Sequence, residues 1–90
     1  MTSVDFNKRL SEIESIYGRR PSKIRVKSLM YFKNKTNSTG FTKRSYDSKT
    51  MKIKVLAAEG VEVEEDSSLE YHHIGKCVDR FGDVFAGLII

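Results

Sequence analysis

The chain has no tryptophan, one proline and one cysteine among its ninety residues. A lone Cys77 excludes an internal disulfide and leaves a reducing compartment as the expectation. No apolar run approaches the roughly 18 residues of a membrane-spanning helix. The first ten residues, MTSVDFNKRL, lack the basic-then-apolar pattern of a signal peptide. A cytoplasmic location without membrane attachment is therefore expected. The Asn34-Lys35-Thr36 and Asn37-Ser38-Thr39 sequons read as chance matches in a polar stretch. There is no low-complexity tract, linker or internal repeat, and ninety residues suffice for one core only. Residues 1–90 are read as a single small α+β domain.

Charge is abundant and unevenly placed. Residues 1–54 carry fourteen Lys/Arg against four Asp/Glu, and residues 55–90 carry two against eight. The basic half, net +10, invites an anionic partner, while the acidic half, net −6, could instead fold against it.

The hydrophobic period changes along the chain. Phe6, Leu10, Ile13 and Tyr17 recur at helical spacing, which predicts a helix over 3–17 capped by Ser3 and stopped by Gly18 and Pro21. From Ser22 the period is two. Ile24, Val26, Met30 and Phe32 alternate with Lys23, Arg25, Lys27, Tyr31 and Lys33, which predicts one long half-buried strand. Met51, Ile53 and Val55 alternate with Lys52 and Lys54 in the same way.

Three segments place glycine fourth: Asn37–Gly40, Ala57–Gly60 and Asp79–Gly82. That spacing suits a type I turn followed by a left-handed residue. The implied hairpins pair Phe32 with Tyr46, Val55 with Val63, Lys54 with Glu64, Val78 with Val84, and Ile74 with Leu88. Residues 74–90 also carry a helical stripe, but Gly75, Gly82 and Gly87 would each cost a helix about 1 kcal/mol. The expected fold is an N-terminal helix followed by five or six antiparallel strands in successive hairpins, as a strongly twisted sheet or partly open barrel. The alternative is a C-terminal helix on a four-stranded sheet.

The functional expectation rests on a basic, tyrosine-containing sheet face. Arg19, Arg20, Lys23, Arg25, Lys27, Tyr31 and Lys33 are the candidate nucleic-acid-binding residues. Cations neutralise phosphates, and an exposed ring stacks on a base. Lys52 and Lys54 are set aside because an acidic strand, Glu62 and Glu64, follows them. The reading is of a non-catalytic module for RNA or single-stranded DNA. The first alternative is a protein-interaction module, an inhibitor or adaptor, using the basic face against an acidic surface or the apolar C-terminal strand. A homo-oligomer through that strand belongs to the same reading. The second alternative is a small nuclease using His72 or His73. No cofactor or metal is expected, because His72, His73 and Cys77 do not make a zinc pattern. Glu62, Glu64, Glu65, Asp66 and Glu70 lack the spacing of a calcium loop.

Overall fold

Phe6, Leu10 and Ile13 are fully buried and form the inner face of helix α1, Phe6–Tyr17. The helix begins at Asp5, whose carboxylate accepts the Lys8 N–H at 3.3 Å, and ends at Gly18, whose N–H donates to the Glu14 carbonyl. The computed structural model describes residues 4–36, 42–49, 52–58 and 60–90, with backbone alone at 42–47 and 52–58. The cap is Asp5 rather than the expected Ser3, which lies outside those residues.

Strand β1, Pro21–Val26, buries Ile24 and Val26 and turns Lys23 and Arg25 to the opposite face. The strand stops there. Leu29–Lys35 is a second helix, α2, not the continuation of a long strand. Its start is built by two side chains. Ser28 accepts the Tyr31 N–H at 3.2 Å, and Glu65 accepts the Leu29 N–H at 3.1 Å. Leu29 and Phe32, three apart, face the core, while Met30 points to solvent. The Phe32 ring meets Phe6 edge-on, with centroids 5.2 Å apart.

The remaining strands are β2 (Thr42–Asp47), β3 (Lys52–Ala58), β4 (Val61–Glu65), β5 (Ile74–Asp79) and β6 (Val84–Leu88). They form an open mixed sheet in the order β2-β3-β4-β1-β5-β6. The expected α+β class stands, but neither the all-antiparallel pairing nor barrel closure does. β1 lies between β4, to which it is parallel, and β5, to which it is antiparallel. Both helices supply side chains to one core with Ile24, Val26, Val61, Val63, Cys77 and Ile89.

The hairpin over 74–90 forms in the expected register, Val78 opposite Val84 and Ile74 opposite Leu88, so the C-terminal helix is excluded. Its turn needs Gly82, at φ 86°, to reverse the chain after Asp79. The β3–β4 hairpin is displaced by one residue from expectation. Val55 faces Glu64 and Leu56 faces Val63. The turn at Asn37–Gly40 lies outside the described residues. The pairing of Phe32 with Tyr46 does not occur, because Phe32 is helical and Tyr46 pairs with Ile53.

Gly75 on β5 leaves no room for a side chain. A Cβ there would sit 2.8 Å from the Arg25 carbonyl oxygen and 2.9 Å from Ile89 Cδ1. Backbone cannot yield as a flexible side chain would, so Gly75→Ala is expected to cost about 1–3 kcal/mol. Urea denaturation checks this as a lower midpoint at unchanged m.

Candidate functional site

The seven basic-face candidates do not form one surface. They divide into three groups along β1, whose six residues span about 20 Å.

Arg19 and Arg20 sit at the entry to β1. Arg19 Nη1 lies 3.2 Å from Asp79 Oδ2 and 3.9 Å from Asp83, and its guanidinium rests 4.4 Å above the Phe85 ring. Arg20 approaches Glu14 at 3.9 Å. Asp79 is 4% exposed, and its Oδ1 also accepts the Phe81 and Asp83 N–H groups at 2.9 and 3.0 Å. Burial alone raises its carboxyl pKa. The two backbone donors and Arg19 overcome that and hold it below the ordinary 3.8. These groups hold the β5–β6 turn against the α1–β1 connection.

Lys23 and Arg25 occupy the middle of the open face. The acidic strand β4 lies directly beside them, not only beside β3. Lys23 Nζ is 2.6 Å from Glu64 Oε2. Arg25 is exposed between Glu64 on β4 and Lys76 on β5. Lys23 therefore has an internal partner that the sequence did not reveal.

Lys27, Tyr31 and Lys33 lie beyond the far end of β1. Lys27 Nζ donates to the Glu70 carbonyl at 3.4 Å. Tyr31, 39% exposed, stacks on His72 with centroids 4.1 Å apart and planes 26° apart. Lys35 Nζ stands 5.6 Å from the Tyr31 centroid. Tyr71 and His73 form a second, tilted pair at 5.3 Å. Helical geometry separates Lys33 from this group, because residues two apart on a helix point to different sides. The site thus loses Lys33 and gains Lys35 and His72. His72 is visible in the sequence within the Tyr71-His72-His73 run, but nothing there places it on Tyr31.

His72 turns Nδ1 into the protein, where it has no hydrogen-bond partner. Cys77 is buried, and desolvation pushes its thiol up to about 11, far from a thiolate nucleophile at neutral pH. No cluster of three metal-ligating side chains occurs among the described residues. No helix among them is long and apolar enough to cross a membrane.

Comparison with family models, curated proteins and solved structures finds no match.

Asp79 makes the acid limb of stability testable. A carboxyl depressed in the folded state stabilises above its unfolded pKa, and that contribution is lost as pH falls through the folded value. The Tm should fall below about pH 4. Asp79→Asn should have a lower Tm at neutral pH, and its deficit should narrow on acidification. A deficit constant from pH 7 to the acid limit would contradict this role.

Proposed function

We propose that the chain is a small non-catalytic module that holds single-stranded nucleic acid, RNA or DNA, at the Tyr31–His72 end of β1. The observation that carries the reading is the exposed tyrosine stacked on an imidazole with Lys35 over its ring. A ring already held flat by a neighbour offers a base a preorganised platform, and stacking tolerates any base. Lys35 stands over the tyrosine ring and Lys27 reaches the Glu70 carbonyl, two residues before His72, while Arg25 and Lys76 lie on the open sheet face within electrostatic reach of Asp66. The neighbouring carboxylates have structural partners. Glu65 caps α2, and Asp66 accepts the Ser68 hydroxyl and N–H. Arg19, Arg20 and Lys23 face carboxylates and belong to the scaffold.

A salt titration with single- and double-stranded RNA and DNA tests the proposal. Binding to single strands should weaken with salt at a slope of about −0.7 per phosphate contacted. Tyr31→Ala should lose about 1–3 kcal/mol per stacked base, roughly 5- to 150-fold in Kd. Arg25→Glu combined with Lys27→Glu should abolish binding without unfolding, whereas Lys33→Glu should change it least. Absence of binding at low salt would end this reading and turn attention to an acidic protein surface.

A further inference from the structure

The two edges of the sheet are built differently. The β2 edge carries Lys43, Arg44 and Asp47, and its pairing with β3 shifts register between Lys43 and Ser45 and again between Ser45 and Tyr46. Charges and bulges are what protect an edge from pairing with another chain. The β6 edge has neither. Val84–Leu88 contains no charged residue and no proline, and its register with β5 is unbroken.

The direction of its backbone groups follows from the ladder. Asp79 N–H donates to the Asp83 carbonyl, and Ile89 N–H donates to the His73 carbonyl. Hydrogen-bonded and non-bonded pairs alternate in an antiparallel ladder, so residues 83, 85, 87 and 89 bond to β5. Val84, Ala86 and Leu88 then direct their N–H and C=O groups outward along the edge. No described strand pairs with them. Their side chains lie on the open face, with Val84 60% and Leu88 46% exposed.

The geometry points to a second copy of this chain as the occupant, joined β6 to β6 in antiparallel register about a two-fold axis at Ala86. In that register Val84 meets Leu88 of the other copy, Ala86 meets Ala86, and each pair exchanges both outward hydrogen bonds. Apolar side chains oppose apolar ones, with no charge to repel. On the helix side Phe85 faces Gly87, a large side chain against none. Shifting by one residue would aim bonding groups at groups already bonded to β5. An isologous contact of this kind closes on itself, and the guarded β2 edge disfavours the open chain that β6-to-β2 pairing would make. A strand this short buries less than the roughly 1,200 Å² of a standard interface, so the dimer forms reversibly at high concentration.

Sedimentation equilibrium across about 10 μM to 1 mM, the range of weak interfaces, reads the association. The mass should rise from 10.3 kDa toward twice that value. Amide exchange at the two ends of the range supplies the register. The Val84, Ala86 and Leu88 amides should slow about tenfold or more at the high end, while those of Phe85 and Gly87 should stay unchanged. Ala86→Lys places two ammonium groups face to face across the axis. Ala86→Pro removes an outward N–H that the monomer does not use. Both should remain monomeric with the wild-type circular dichroism. A constant monomer mass, association that persists in both variants, or association without slowing of the three even-numbered amides would each overturn the proposal.

Discussion

Everything in this fold depends on β1 having a strand on each side. Ile24 and Val26 are buried in the core, and the backbone that carries them is hydrogen-bonded along both edges. β4 supplies one edge in parallel and β5 the other in antiparallel. A parallel neighbour cannot follow through a tight turn, so the chain leaves β1, forms α2 and the β2–β3 hairpin, and returns as β4. Gly75 lets β5 come close enough to complete the arrangement.

That placement also decides the electrostatics. With β4 between β3 and β1, Glu62 and Glu64 stand beside Lys23 and Arg25 on the open face. A face that would be uniformly basic becomes mixed, and the Lys23–Glu64 pair is one result. Such half-exposed pairs contribute only modestly to stability, about 0–1 kcal/mol, but they remove charge from any ligand surface. What remains of the basic, aromatic character gathers where β1 ends and α2 begins.

Elements built from neighbouring residues were legible in the sequence. The α1 stripe and its glycine stop, and the Asp79–Gly82 turn with its register, follow from spacings of three and four residues, which the backbone enforces locally. The stretch after Val26 was misread because Met30 and Phe32 extend the alternation of Ile24 and Val26. Ser28 as a cap and Leu29–Phe32 at helical spacing were the competing signals. The second N-terminal donor of α2 is satisfied by Glu65, thirty-six residues away, and no local pattern records that. The slip in β3–β4 has a similar cause, since alternating valines and glutamates fit either register until a face is buried.

By itself the sequence determined the α+β class, the amphipathic first helix and the segregation of charge between the two halves, and it favoured the C-terminal hairpin over a helix. These depend on side-chain period and turn chemistry over a few residues. Tertiary structure alone decided that β4 lies parallel to β1, that acidic and basic strands are neighbours, and that Tyr31 rests on His72. Those juxtapositions join residues some forty positions apart. They are set by which arrangement buries the core and pairs both edges of β1, a condition on the whole chain rather than on any one segment of it.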